Sequence, residues 1–561
     1  MTSPPDQHAA RYVLQRWDEL CSPRGPWWTR ATEVGVRLRL DELVDLSGAS
    51  HEGATQVVTI VNKLLKEIRA LLGPGDDGDP YLSTRYPQVA EHAEELKHTS
   101  ANSFIRSGLG PNLVKSCLDH LEQPDYIPSF VSHLTEEVET AGHEQEDFRH
   151  LDHLISRLDA ELVFDGHSQG WRQAVRADAK TRFEGGSTLE EAILESLKAH
   201  HCGFGQNRPF AVLVPLTGLP EGVAFNRASG MEVDPAITVI KSSGFRFDED
   251  LKTAASKADG FSYFQEVDAA DAEAAVRRID KKLRSAIGAW RLMERTIDDP
   301  TSVFVLDSAT NETLALQLPS EPLEVQPPGI EQWPPEGPSA ERLSDALDQL
   351  AQARTAPPQT AFVDLWTAAD ALYGGIAKDP SWHAGNVMAG LAQFLYVRDV
   401  HIWLAKRAQE AGVGTPPEGG EVEWIVEQIT NDAPGLDKAL AETGDAIGWS
   451  RFKLISRWDG GWGLGKDLDQ LKDRLVSVCD RAYLIRNFAV HRAEVRGPAL
   501  AVVLPAFAGM VAAAVGHSLM AKTDDTLEEA LAAGLKARAV AYDFRAQRSQ
   551  APDGLESMLS A

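Results

Sequence analysis

Cysteine is scarce in this sequence of 561 residues, and Cys21, Cys117, Cys202 and Cys479 lie far apart without a CxxC pair. This spacing argues against a disulfide framework and against the short Cys/His repeats of structural zinc sites. Positive charge is also in deficit, because 83 acidic residues against 55 Lys and Arg give a formal net charge of −28. Bulk charge therefore argues against a protein that coats nucleic acid, and any contact with RNA needs a local basic patch.

The sequence also lacks an obvious leader and has only one long apolar run. The first residues, MTSPPDQHAARYV, show no basic segment followed by an apolar core, so no signal peptide is indicated and a cytoplasmic protein is expected. Residues 499–516, ALAVVLPAFAGMVAAAVG, are 18 residues without a charge, which reaches the lower limit for a membrane helix. Because this run is mostly alanine and contains Pro505 and Gly509, we expect a buried helix and no membrane contact.

Composition and periodicity divide the chain into regions and predict a multidomain fold. Residues 1–160 are predicted to be a helical N-terminal region, and 161–318 a mixed α/β or α+β module. Seven prolines between Pro319 and Pro338 mark a linker over 319–339, and residues 340–561 are predicted to be an all-α bundle with further C-terminal helices. Strands are expected near 210–216, 237–241, 261–267, 302–306 and 313–318, with a long helix near 269–294. Helices are expected near 340–354, 362–374, 385–412, 421–431, 468–487, 498–521 and 526–547.

The hexapeptide Arg486 to His491, RNFAVH, groups an arginine, an asparagine and a histidine. The segment before it has an apolar stripe at helical spacing, which predicts a helix anchored in a bundle core: Leu471, Leu475, Val478, Ala482 and Ile485. Between residues 474 and 496 there are five arginines and two acidic residues, a local formal charge of +3 in an acidic protein. A solvated helix face is the plain interpretation of such a run. The alternative is a phosphate-binding surface, with Arg474, Arg481 and Arg492 as RNA-binding candidates.

This segment resembles the catalytic motif of the HEPN superfamily. HEPN domains are all-helical, and their ribonuclease members carry an arginine, four to six residues and a histidine, often with Asn or Asp after the arginine. Among the 16 histidines, only His92 and His491 follow an arginine at that spacing, and the segment before His92 contains Pro87 and lacks the Asn or Asp. A second segment, 362–373, FVDLWTAADALY, resembles the early helix of Apea-like HEPN domains, with Asp370 in the place of their acidic residue. The resemblance covers roughly residues 340–520.

The residue types suit RNA cleavage by the 2′-OH. His491 can move protons because imidazole titrates near neutral pH, and the forked donors of Arg486 can hold a phosphate. Asn487 lies four residues before His491, so the amide could orient the ring from the same helix face. Arg486 and His491 are five residues apart, about 140° around an ideal helix, and cannot face one phosphate from one straight helix. Either the helix ends between them or a second copy completes the site, as the resemblance to dimeric HEPN nucleases implies.

We therefore expect a metal-independent endoribonuclease that needs no cofactor, leaves a 2′,3′-cyclic phosphate and acts as a homodimer or higher homo-oligomer. Its catalytic candidates are Arg486, Asn487, His491 and Asp370. The resemblance implies cellular or invading RNA as substrate, with tRNA among the candidates, in antiphage defence, abortive infection or a toxin module. The residues before the bundle would then sense a trigger ligand or a phage protein.

Other interpretations remain open. A catalytically silent HEPN-like domain would serve as a scaffold for dimerisation or for binding a nucleotide or partner. Gly166 to Gly170, GHSQG, matches the nucleophile elbow of a serine esterase using Ser168, if residues 161–165 are a strand; a turn between helices is the plainer reading. Gly460 to Asp467 has P-loop spacing but an aspartate where Ser or Thr is needed, so a loop before the next helix is expected. Arg398 and His401 share a helix face, either as a surface pair or lining the same cleft.

Overall fold

The N-terminal half is built of packed helices. The computed structural model describes residues 5–22, 26–29, 34–47, 54–72, 80–96, 99–107, 109–144, 148–200, 207–218, 232–234, 245, 249–292, 298, 300–317, 340–373, 384–417, 419–458, 462–492 and 497–520. The first helices are α1 Pro5–Cys21, α2 Val36–Ser47, α3 Ala54–Leu72, α4 Pro80–Arg85, α5 Pro87–Leu96, α6 Ala101–Ser107, α7 Leu109–Leu121, α8 Tyr126–Glu144, α9 Arg149–Phe164, α10 Gln169–Glu184 and α11 Leu189–Ala199, with a 3₁₀ turn at Trp27–Thr29.

This helical region extends further along the chain than its predicted end at residue 160. Val175 and Ala179 of α10 and Leu189, Ile193 and Leu197 of α11 are buried in the same apolar core as the helices before them. α11 starts at a capping box, in which Thr188 and Glu191 satisfy each other's backbone N–H groups. The sheet module therefore begins near residue 208, and the boundary predicted at 161 is wrong.

The middle of the chain is a small antiparallel sheet. Among the described residues, five strands pair in the order β2-β3-β1-β4-β5, and every neighbouring pair is antiparallel. The elements are β1 Arg208–Leu216, β2 Glu232–Asp234, α12 Glu249–Lys257, β3 Gly260–Ala269, α13 Ala272–Leu292, β4 Ser302–Asp307 and β5 Glu312–Gln317. Alternate residues of the strands enter two separate apolar clusters, one with α13 and the other with Leu251 of α12. The module is thus α+β, with a helix on each face.

Most strands and the long helix of this module agree with their sequence-based predictions. β1, β3, β4, β5 and α13 lie where β-branched and helical patterns predicted them. The strand expected at 237–241 falls outside the described residues, as does the proline-rich segment 319–339.

Within its described residues, the regular elements of the C-terminal part are all helices. Its elements are α14 Ala340–Thr355, α15 Pro358–Tyr373, α16 Ala384–Glu410, α17 Glu421–Thr443, α18 Ala446–Ser456, α19 Trp462–Arg492 and α20 Gly497–Met520. The predicted end of a helix at 431 coincides with a break at Asp432, whose φ is −143°, two residues before Pro434. α18 was not predicted, and the helix predicted at 526–547 lies outside the described residues.

α20 contains the long apolar run. It is the one helix in the described part of the chain that is long and apolar enough to cross a membrane, and 67% of residues 499–516 is buried inside the protein. Phe507 is fully buried and its ring lies 5.5 Å from that of Phe362 on α15. The expectation of a buried core helix is confirmed by this packing.

The two helical regions pack against each other. Ala446 and Ile447 of α18 and Leu484 of α19 belong to the N-terminal core, whereas Trp28 belongs to the C-terminal core. α1 contacts α18, and α9 contacts α20. The helices on both sides of the sheet module therefore form one body, in which the N-terminal region directly contacts the helix that carries RNFAVH.

Candidate functional site

α19 runs from Trp462 to Arg492 without a break, so the RNFAVH motif lies within its last turns. The possibility that the helix ends between Arg486 and His491 is therefore wrong. The positions remain about 140° apart around one helix, which is too far for both to face one phosphate. For residues 487–492 only the backbone is described. Asn487, His491 and Arg492 therefore have known positions on the helix, and their side chains are not described.

The faces of α19 have different neighbours. Leu475 and Ile485 are buried in the C-terminal core, and Leu484 is buried in the N-terminal core. Position 491 follows Leu484 by seven residues, two helical turns, and so shares its face. Arg486 is half-buried on a different face, three residues after Tyr483.

Asp370 lies at the contact between α15 and α19. Its carboxylate accepts a hydrogen bond from the indole Nε1 of Trp366 at 2.8 Å. The Trp366 ring stacks on Phe507, with 5.8 Å between centroids and 17° between planes, and lies 5.9 Å from the ring of Tyr483. Asp370 is itself exposed, at the edge of the buried stripe that the sequence predicted. Asp370 is thus bonded to the tryptophan that contacts Tyr483 of α19.

Arg481 does not lie on an exposed surface. It is 2% exposed, and its Nε lies 3.1 and 3.0 Å from the two carboxylate oxygens of Glu42, while Nη2 lies 3.2 Å from Glu67. Burial alone would lower the pKa of Arg481, but the two carboxylates outweigh burial and raise it. The prediction that Arg481 belongs to an exposed RNA-binding surface is therefore wrong for this conformation.

Arg474 also faces the N-terminal region. Its Nη1 lies 3.7 Å from the Oδ2 atom of Asp152 on α9. Burial would raise the pKa of Asp152, but Arg16 and Arg474 outweigh burial and lower it to about 2. Two of the arginines that gave the segment its local positive charge are therefore engaged by carboxylates of this protein, and the side chain of Arg492 is outside the described residues.

The GHSQG segment is a turn between two helices. α9 occupies residues 149–164, where a nucleophile elbow needs a strand. Ser168 is 1% exposed and caps α10, since its Oγ accepts a hydrogen bond from the backbone N–H of Trp171 at 3.0 Å. The esterase interpretation lacks its structural context, and the plainer prediction of a turn is confirmed.

The remaining sequence candidates have structural roles. Asp467 is buried and accepts hydrogen bonds at 2.8 Å from the indole of Trp458 and from Arg149. The helix has already begun at Trp462, where a loop was expected.

His401 is 1% exposed, and its Nδ1 donates to the carbonyl of Val397 at 2.6 Å, so it is not a surface residue. Burial lowers the pKa of His401, and the hydrogen bond to Val397 offsets this only in part.

Sequence reasoning missed the residues that contact α19 from the N-terminal region. Glu42 and Glu67 lie more than 400 positions before Arg481, and no local pattern marks them as its partners. The role of Trp366 had a weak signal, because a tryptophan four residues before an aspartate on a helix can reach its carboxylate.

Comparison with protein-family models, with curated proteins and with solved structures finds no match to this chain. Within the described ranges, no three His, Cys, Asp or Glu side chains lie together as a metal site. The argument about function therefore depends on the motif residues and their placement.

Proposed function

We propose that this protein is an endoribonuclease in which a HEPN-like helical domain, residues 340–520, cleaves RNA through its own 2′-OH. The observation that carries the proposal is the RNFAVH motif at the end of a continuous helix, with Asp370 held beside that helix by Trp366. The reaction needs a group to accept the 2′-OH proton, a group to protonate the 5′-oxygen that leaves, and positive charge at the phosphate.

In this proposal the two tasks are divided between two copies of the chain. The positions of Arg486 and His491 in one copy lie about 140° apart around α19, so one phosphate could meet Arg486 of one copy and His491 of another. His491 would transfer the protons and Arg486 would hold the phosphate, while Asn487, one turn before His491, would orient its ring. The 2′-oxygen bonds to phosphorus as the 5′-oxygen leaves, which produces a 2′,3′-cyclic phosphate.

Asp370 would act beside Arg486. Its exposed carboxylate lies on the neighbouring helix, fixed at one oxygen by Trp366. A carboxylate in this place can orient a guanidinium so that its remaining donors face the phosphate. By resemblance to HEPN nucleases, the setting would be a cytoplasmic antiphage or toxin system with RNA such as tRNA as substrate.

The first test is incubation of wild type, Arg486→Ala and His491→Ala with total RNA and tRNA in EDTA, with analysis of fragments and 3′ ends. Wild type should produce cyclic phosphate ends and both variants should not. His150→Ala, which removes an exposed imidazole on α9, is a matched control and should cleave like wild type. Inert behaviour of all proteins, even after addition of phage-infected lysate, would contradict the nuclease.

The divided site has its own test. In a mixed dimer of Arg486→Ala and His491→Ala chains, one site has lost both groups and the other keeps both. Random mixing should therefore restore roughly a quarter of the wild-type sites. If the mixture stays inactive although mixed dimers form, the two residues do not act across the copies.

A silent scaffold is the second candidate, and one observation favours it. Arg474 and Arg481, which a nucleic-acid surface would present to solvent, are paired with Asp152, Glu42 and Glu67. A scaffold should form the same oligomer as wild type when His491 is replaced by alanine, and it has no cleavage to lose.

A further inference from the structure

Six charged side chains meet where α2 and α3 contact the motif helix α19. Three are cations and three are anions, so the cluster is balanced. Beyond the contacts of Arg481 with Glu42 and Glu67, Lys63 pairs with Asp480, and Arg39 Nε lies 3.7 Å from Glu67. Arg481 also bonds Ser477 on its own helix. We call this cluster the charged latch: Arg39, Glu42, Lys63, Glu67, Asp480 and Arg481.

Burial of these charged side chains makes the contact between the N-terminal helices and α19 costly in hydration free energy. The side chains of Arg481 and Glu42 are only 3% and 10% exposed. Burial raises the pKa of Glu42, and the attraction of Arg481 offsets this only in part. Apolar side chains of similar volume often stabilise such a contact equally well or better. Charged groups differ from apolar ones because water can solvate them when the surfaces separate, so a contact of this kind can open.

The latch acts on the helix face that carries two of the proposed catalytic positions. Asp480 lies seven residues before Asn487, and Leu484 lies seven residues before His491. Seven residues are two helical turns, or about 10 Å along the same face. Leu484 is buried in the N-terminal core directly after the latch. A closed latch therefore fixes the rotation of α19 and turns this face toward the N-terminal helices.

Further contacts hold the first half of the same helix. Asp467 bonds Arg149, and Arg474 pairs with Asp152, so α9 also engages α19 through charge. All of these contacts lie before residue 482, whereas the motif occupies 486–491. The N-terminal region thus contacts α19 ahead of the motif through charged groups that water can solvate, together with the apolar side chain of Leu484.

From this arrangement we propose that the charged latch is releasable. In the closed latch, Glu42 and Glu67 bind Arg481, which holds α19 against the N-terminal helices. RNA cleavage stays low until the latch opens. The regulatory part of this inference rests on the proposed nuclease function. The contact itself, a charged interface that opens and frees α19, does not depend on that function.

The test uses the full chain with Glu42→Gln and Glu67→Gln combined, which removes both charges and keeps the side-chain shape. Its matched control is Glu91→Gln with Glu95→Gln, two exposed glutamates on α5. Amide hydrogen exchange is followed over residues 475–485 of α19, and RNA cleavage is measured in EDTA. Exchange of β1 and β3 reports whether the rest of the protein stays folded.

We expect exchange in α19 to rise by about tenfold, a factor that corresponds to roughly 1.4 kcal/mol, with the control unchanged. RNA cleavage should rise by a similar factor, and addition of His491→Ala should abolish the increase. A milder pair, Lys63→Gln with Asp480→Asn, removes a partly exposed contact and should give the same changes with smaller amplitude. This pair serves as the test if the double glutamate variant loses its fold.

The outcomes separate the latch from the nuclease. Unchanged exchange in α19 would overturn the latch, whatever the RNA assay shows. Faster exchange with cleavage equal to that of an active wild type would overturn its regulatory role. Faster exchange in a protein that never cleaves RNA, in any variant, would support the releasable contact and reject the nuclease.

Discussion

Trp366 on α15 holds the carboxylate of Asp370 and also contacts Tyr483 on α19. Its indole N–H bonds Asp370, and its ring is held between Phe507 and Tyr483. Trp366→Phe keeps the ring and removes the donor, so it should cost about 1 kcal/mol of stability and lower the rate of RNA cleavage roughly tenfold. Urea unfolding and single-turnover cleavage measure the two effects.

The effect of Trp366→Phe should operate through Asp370. In the background of Asp370→Asn it should lower the cleavage rate no further, because its partner has already lost its charge. Trp449→Phe is a matched control, since Trp449 donates a similar bond to Asp437 at 2.7 Å on other helices. Full additivity of the Trp366 and Asp370 variants would show that the tryptophan has only a packing role.

His401 should make stability depend on pH. Burial lowers its pKa in the folded protein, so the unfolded chain binds the proton more readily. This group therefore opposes folding as pH falls below its unfolded pKa of about 6.5, and has no such effect above it. The drop in unfolding free energy between about pH 8 and about pH 5.5 should be smaller in His401→Leu than in wild type. An unchanged drop in His401→Leu would show that His401 can be protonated in place.

Among the helices, α20 has the composition of a membrane span and the environment of a core. Phe507 is fully buried and contacts Phe362 and Trp366. Phe507→Ala should therefore lower the unfolding free energy in detergent-free buffer by about 3–5 kcal/mol. Ala501→Ser, at an exposed position of the same helix, should change it by less than about 0.5 kcal/mol. Equal stability of both variants would indicate that α20 is not packed in the core.

α9 reaches from the sheet module to the motif helix. At its N-terminal end Asp152 pairs with Arg474, and after its C-terminal end the backbone N–H of Ser168 donates to Asp271, the residue before α13, at 2.6 Å. Arg277 of α13 also donates to the carbonyl of Gly166. A 16-residue helix spans about 24 Å, so α9 physically joins the two regions. α9 therefore contacts the motif helix at one end and lies next to the segment that contacts α13 at the other.

The whole molecule should show cooperative unfolding of its two helical regions. Phe130 on α8 is fully buried in the N-terminal core, and its replacement by alanine should cost about 3–5 kcal/mol. Because the N-terminal core includes residues of α18 and α19, we expect the slowest amides of α15 and α20 to lose protection together with those of α8. Native-state hydrogen exchange measures this directly.

An exposed position provides the control for that experiment. Leu314 on the edge strand β5 is 38% exposed, and Leu314→Ala should leave protection of the helices unchanged. Loss of protection confined to α1–α11 in Phe130→Ala would show that the helical regions unfold independently.

Local patterns in the sequence determined most elements of this protein. Apolar residues at helical spacing placed α15, α16 and α20, and short β-branched runs placed β1, β3 and β4, because both patterns arise within a few neighbouring residues. The same patterns predicted a helix over 468–487, which includes Arg486 and stops before His491, whereas the helix in the structure continues to Arg492. Its continuation was left open because no Gly or Pro lies between Arg486 and His491 to mark an end, and propensity alone is a weak signal.

Only the tertiary structure decided which charges of α19 reach solvent. In the sequence, Arg481 and Arg486 are both basic residues outside the apolar stripe of the same predicted helix. In the structure, however, two carboxylates from α2 and α3 contact Arg481. The same limit explains the boundary wrongly set at residue 160, because α10 and α11 have ordinary helical patterns that do not reveal which core they join. Periodicity shows that a helix has a buried face, whereas the partner of that face depends on segments brought together by the burial of apolar surface across hundreds of residues.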